Sequence, residues 1–129
     1  MNDLNNINKI VCINLGFVVP KNKVKEVESI LKIHTEWMSE FYSEGNNGKK
    51  YLLGAYITRA TEFKDPTDPA QGETNNLLYT LNEKFTSTES LERHNNHVKK
   101  NEYFSKFSEM KKKYASFRSA NGTVYYSIG

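Results

Sequence analysis

The order in which hydrophobic periodicity changes along the chain constrains its fold more tightly than any single residue. Ile10–Val19 is apolar at nearly every position, broken by Asn14, as in a strand buried on both faces. Val24–Tyr42 then switches to helical spacing. Val24, Val27, Leu31, His34, Met38 and Phe41 recur every three or four residues, and Ile30 and Trp37 widen the stripe. Two strand-like runs follow, Tyr51–Phe63 and Leu77–Phe85. Two short helical patterns come next, Ser87–Val98 and Glu102–Tyr114, and then a strand-like end, Thr123–Ile128.

The order β-α-β-β-α-α-β is close to the split βαβ plan of a ferredoxin-like sheet. It predicts an α+β fold: an antiparallel sheet with helices on one face, in a single domain over 10–129 behind a loose lead-in at 1–9. Local signals place the boundaries. Pro20 ends the first strand, and Asn22 is a candidate N-cap for the first helix. Gly45-Asn46-Asn47-Gly48 supplies residues that tolerate a left-handed helix end. Thr86 with Glu89 forms a possible capping box, and Asn101 is placed to break one helix and cap the next. Asn121-Gly122 is a turn signal that would fold Ala115–Ile128 into a small hairpin instead of a single strand. Lys64–Asn76 is polar and holds two prolines, so it reads as a long loop: a lid, a dimer contact or a spacer.

Charge excludes some partners. The 129 residues carry 18 basic and 15 acidic side chains, a net charge of +3 that is too small and too dispersed to point to nucleic acid. Lys99-Lys100, Lys106 and Lys111-Lys112-Lys113 cluster, but Phe107, Met110 and Tyr114 lie among the last of them, as on a solvated helix face. One cysteine, Cys12, cannot form an internal disulfide. It reads as a small buried hydrophobe and fits a reducing compartment. No apolar run approaches the ~20 residues of a membrane span, and residues 1–9 lack the apolar middle of a signal peptide. A cytoplasmic protein with no membrane partner is expected. The 8 Tyr and 7 Phe exclude a disordered composition.

A four-stranded sheet with helices on one face leaves the other face bare. Strands this apolar predict a cover for it, most simply a second copy related by a two-fold axis.

The stretch Leu77–His94 carries a strand, a short turn and a helix with the pattern aromatic-x-Ser/Thr-x-Glu-x-hydrophobic-x-x-His, met here by Phe85, Ser87, Glu89, Leu91 and His94. In this and in its element order over 10–128, the chain resembles the dimeric α/β-barrel superfamily, and within it the antibiotic-biosynthesis-monooxygenase-like proteins. The resemblance implies a homodimeric barrel. It also implies a cofactor-independent monooxygenase, or a related isomerase or cyclase, acting on a small aromatic or polyketide-like compound. The superfamily's alternative is a non-catalytic dimeric ligand-binding or stress-response protein. The haem-degrading branch needs a strand-one Asn, a strand-three Trp and a late-helix His. Asn14 suits the first, but the Trp is absent and Ser108 stands where the His would be. Neither haem nor any other cofactor is expected.

His94 is the candidate catalytic residue. A neutral imidazole on the stripe of its helix can take a proton from a phenol or bind an oxyanion. The bland alternative is a helix histidine bonded at the edge of the core. His97, three residues on, with Glu83 as a third group, could share a metal, but the ligand set is thin and none is expected. His34 reads first as a satisfied core histidine, and second as part of a pocket wall with Trp37 and Phe41. Asn14 either bonds across the sheet or points into a polar pocket or dimer core. Tyr56, Arg59 and Tyr79 line the same cavity or pack cross-strand. His34, Asn14, Trp37, Tyr56 and Tyr79 are thus the candidate substrate-binding residues. No phosphate loop, nucleophile elbow or Cys-x-x-Cys pair is present, which removes kinase, nucleotide-binding and zinc-finger readings. A third outcome is a dimer with a filled core, whose Tyr-rich surface meets another protein.

Overall fold

A computed structural model describes residues 9–129. The expected lead-in at 1–9, and with it the signal-peptide reading, lies outside the described residues except for Lys9. The elements are β1 (Val11–Pro20), α1 (Val24–Phe41), β2 (Leu52–Phe63), β3 (Glu73–Phe85), α2 (Thr88–Val98), α3 (Phe104–Tyr114) and β4 (Ala115–Thr123). The sheet runs β2-β3-β1-β4, with every neighbouring pair antiparallel. This is an α+β arrangement of four strands and three helices, consistent with a ferredoxin-like fold. No helix among the described residues is long and apolar enough to cross a membrane.

Period-two alternation on the central strands decides what faces the helices. Leu15, Phe17 and Val19 of β1 and Tyr79 and Leu81 of β3 join Val27, Ile30 and Leu31 of α1 in the main core. Val98 of α2 and Phe107 and Met110 of α3 close it from the other helices. Glu83 falls on the same inward register, two residues beyond Leu81 and two before the fully buried Phe85.

The opposite sheet face is more polar than the β1 pattern implies. Asn14 donates from Nδ2 to Asn82 Oδ1 at 2.9 Å, Asn82 reaches Thr80 Oγ1 at 2.9 Å, and Thr58 bonds Thr80. Phe117 lies over Gly16, where a Cβ would come within 2.3 Å of its ring. That close approach explains a glycine inside a central strand.

The last strand is displaced from its expected place. It spans Ala115–Thr123 and not Thr123–Ile128. Its sequence is polar because it is an exposed edge paired with β1 alone, so hydrophobic alternation does not reveal it. Asn121-Gly122 does not make a hairpin turn. Asn121 is left-handed (φ +60°) inside a bulge, with Ser119 opposite Asn14 and Gly122 opposite Cys12. The expected long loop is also shorter than it looked. β3 already begins at Glu73, and Lys64 N–H closes the loop onto Gly72 O at 3.0 Å.

Two caps differ from expectation. α1 follows a 3-10 turn at Lys21–Lys23 and has no side-chain cap from Asn22. α2 is capped by Ser87, which accepts from Ser90 N–H at 3.1 Å, while Thr86 hydroxyl donates to Lys50 O. Asn101 caps the end of α2 through His97 O and Val98 O. Past α1, Asn47 is left-handed, and Gly48 is pressed so close to Tyr42 that a Cβ would sit 1.7 Å from its carbonyl oxygen.

Candidate active site

A carboxylate on the inward face of a central strand must be satisfied by the protein. Glu83 side chain is 1% exposed, and two histidines converge on it from two helices. His34 of α1 places Nε2 2.9 Å from Oε2, and His94 of α2 places Nε2 3.4 Å from Oε1, a looser approach. The outer nitrogens are held as well. His34 Nδ1 meets Tyr103 hydroxyl at 2.8 Å, and His94 Nδ1 meets Tyr42 hydroxyl at 2.7 Å.

One proton assignment satisfies the three hydrogen bonds and the looser His94–Glu83 contact without conflict. Both imidazoles carry hydrogen on Nε2 and present it to Glu83, while both tyrosine hydroxyls donate to Nδ1. This assignment follows from the network, since hydrogens are placed by their partners. Burial pushes the hydroxyls of Tyr42 and Tyr103 well above the ordinary tyrosine range, with Glu83 adding to it, so both remain donors. Burial lowers His94 to about 4. His34 and Arg93 act the same way and Glu83 opposes them. At neutral pH the His94 imidazole is therefore uncharged.

Aromatic rings fix the imidazoles in place. Phe107 stacks on His34 at 4.8 Å between centroids, and Phe85 lies 4.9 Å from His94. Trp37 stands 5.4 Å from His94 and stacks on Phe41.

A cavity of about 200 Å³ opens onto the cluster. His34, Glu83 and His94 line it together with Leu15 and Leu81 of the sheet and, at its charged side, Lys111 and Arg118. A second cleft, about 360 Å³, runs between α1 and β2. It touches His34 and Tyr42 but neither Glu83 nor His94, so the smaller cavity is the one that reaches all three cluster residues.

The candidates from sequence are dispersed. His34 and His94 share the cluster, and Trp37 packs against its back. Asn14 lies on the other face of the sheet, bonded to Asn82 and away from the cavity. Tyr79 is buried, but its hydroxyl donates to Glu28, which also accepts from Arg59 at 3.0 Å, in a separate group along α1. Tyr56, 61% exposed, only rims the larger cleft. His97 is exposed and sits against Phe41, so the histidine paired with His94 is His34 and not His97. Lys111, expected on a solvated face, is partly buried over Phe107.

Three participants escaped a reading by sequence. Glu83 was visible only as a possible third ligand, although a glutamate alternating with Leu81 and Phe85 is the signal that marks it. Tyr42 and Tyr103 carry no such signal, since both flank helices at positions where either side is open. His34, Glu83 and His94 also form a group able to hold a cation, with ligand atoms within 4.8 Å of one another. They would do so only with both Nε2 atoms unprotonated, which reverses both tyrosine bonds. No protein-family model and no curated protein matches this chain.

Proposed function

We propose that the protein is a small-molecule enzyme that transfers protons without a bound cofactor. In this reading it is a cofactor-independent monooxygenase-like enzyme, or an isomerase or cyclase, of the dimeric α/β-barrel superfamily, with an aromatic or polyketide-like substrate. The observation that carries the reading is the His34–Glu83–His94 cluster opening onto a mostly apolar cavity. An uncharged His94 accepts the substrate's proton at Nδ1, its one lone pair, the substrate taking the place of the Tyr42 hydroxyl that holds the ring there at rest. Glu83, facing Nε2–H, stabilises the imidazolium that forms. In the oxygenase case the substrate anion itself reduces molecular oxygen, so the protein needs only to bind, deprotonate and exclude water.

A homodimer belongs to the same proposal. Tyr56, 61% exposed, and Phe117, 51% exposed, sit on the sheet side turned from the helices, and Tyr125, Tyr126 and Ile128 stand in solvent beyond β4. A second copy laid on that face would cover them.

The test is a panel of phenols and enolisable ketones in deuterated buffer, followed for solvent exchange and oxygen uptake. Turnover by the wild type, lost in a folded His94→Asn variant that still binds ligand, supports the enzyme. Binding without exchange or oxygen uptake selects the alternative, a ligand-binding protein of the same fold.

A further inference from the structure

The cavity carries two cations that form no ion pair among the described residues. Lys111 of α3 and Arg118 of β4 both line it beside His34, Glu83 and His94. Among the described residues neither forms an ion pair, whereas Arg59 and Lys21 do. Glu83 is engaged by the two histidines. Lys111 is held in place: its ammonium lies 5.1 Å from the Phe107 ring centroid and 5.8 Å from that of Phe104. Arg118 stands opposite Leu15 of β1 in register, which turns it toward the helix side of the sheet.

Two like charges beside one cavity repel each other, and Lys111, half-buried, also loses hydration, while Arg118 stays exposed at the cavity's edge. Burial lowers the Lys111 ammonium from its ordinary value, Arg118 lowers it further and Glu83 opposes both. Such a pair is relieved by an anion placed between its members. The proposed chemistry needs the same thing. A weakly basic imidazole can take a proton from a neutral acid only if the resulting anion is stabilised where it forms.

We propose that Lys111 and Arg118 form the anion-binding end of this cavity, and that its substrate is a compact organic molecule presenting an anionic oxygen, a carboxylate or a phenolate. The proposal rests on the proton-transfer reading for the role of that anion, but its binding half stands alone. The size argues the same way. At about 200 Å³ the cavity is below the ~300–1,000 Å³ of pockets for drug-sized ligands, which favours one ring over a fused polycyclic compound.

The probes are benzoate and its neutral isostere benzamide, titrated into the full chain by calorimetry at pH 7, with pentafluorophenol, ionised at that pH, against neutral phenol as the phenolate arm. Benzoate is expected to bind at least 10-fold tighter than benzamide. Lys111→Met and Arg118→Met should each reduce that preference at least 5-fold, with unchanged Tm. Glu92→Gln, an exposed change on α2 outside the cavity lining, should leave it as it is. Equal binding of the two probes, binding of neither, or a preference that survives both cation variants overturns the proposal. Those results leave the proton-transfer reading standing, because that reading is judged by exchange and turnover in His94→Asn. A charge preference with no exchange activity would instead keep the anion site and remove the enzyme.

Discussion

His34 Nε2 lies 2.9 Å from Glu83 Oε2, and both side chains are sealed from solvent at 3% and 1% exposure. The bond ties the middle of α1 to the sheet, and the cavity wall depends on it. Glu83→Ala leaves two buried N–H groups facing nothing. It should cost about 3 kcal/mol of folding stability, and Glu83→Gln about half of that, since an amide oxygen still accepts one of the two. Urea denaturation of both variants checks this. A cost under ~0.5 kcal/mol for the alanine variant would show that Glu83 is not satisfied by the histidines.

The depressed His94 makes stability depend on pH in one direction. Its folded pKa of about 4 lies below the ordinary 6.5, so between those values the unfolded chain binds the proton that the folded one refuses. Stability from this group is full above pH ~6.5 and falls as the pH drops toward 4, by on the order of 3 kcal/mol in all. The groups facing the ring are Glu83 from β3, His34 from α1, Tyr42 at the end of α1 and Arg93 from α2. Denaturation curves at pH 7.5 and pH 5 should differ for the wild type, and the difference should shrink in His94→Asn.

Tyr42→Phe removes the donor to His94 Nδ1 while keeping the ring that packs beside it. The expected cost is about 1 kcal/mol, the usual worth of one buried hydrogen bond. Proton exchange should slow more than binding weakens, because the imidazole loses its orientation. Equal losses in both would make Tyr42 a packing residue alone.

Gly48 meets backbone, not a movable side chain. A Cβ there would sit 1.7 Å from Tyr42 carbonyl oxygen and force the end of α1 to shift. Gly48→Ala should therefore destabilise by about 2–3 kcal/mol. It should also disturb the Tyr42–His94 bond, visible as a changed His94 titration. Gly45→Ala, where a Cβ meets nothing within 4 Å, serves as the control.

The fold was legible where burial imposes a period. β1, α1 and α2 were placed nearly to the residue, since each buries one or both faces. β4 was misplaced because an exposed edge strand needs no hydrophobic alternation and its bulge at Asn121 imitates a turn. The start of β3 was missed for the same reason: Glu73–Asn76 pair near the sheet's end without burying apolar side chains. At the site, helical spacing put His34 and His94 on inward stripes. It could not bring them together, because a meeting of α1, α2 and β3 at one carboxylate is a tertiary event. Asn14 and Tyr79 show the converse. Asn14 stood out as polar in an apolar strand and Tyr79 as a ring on a central one, and each proved to be satisfied elsewhere, by Asn82 and by Glu28.

The most direct test of the account is nitrogen-15 NMR of the histidine side chains across pH. The cluster predicts an uncharged His94 at pH 7 with its hydrogen on Nε2, remaining so until the pH falls to about 4. A His94 that titrates near 6.5, or that carries its hydrogen on Nδ1 at pH 7, would contradict the buried proton-transfer cluster on which the proposed function stands.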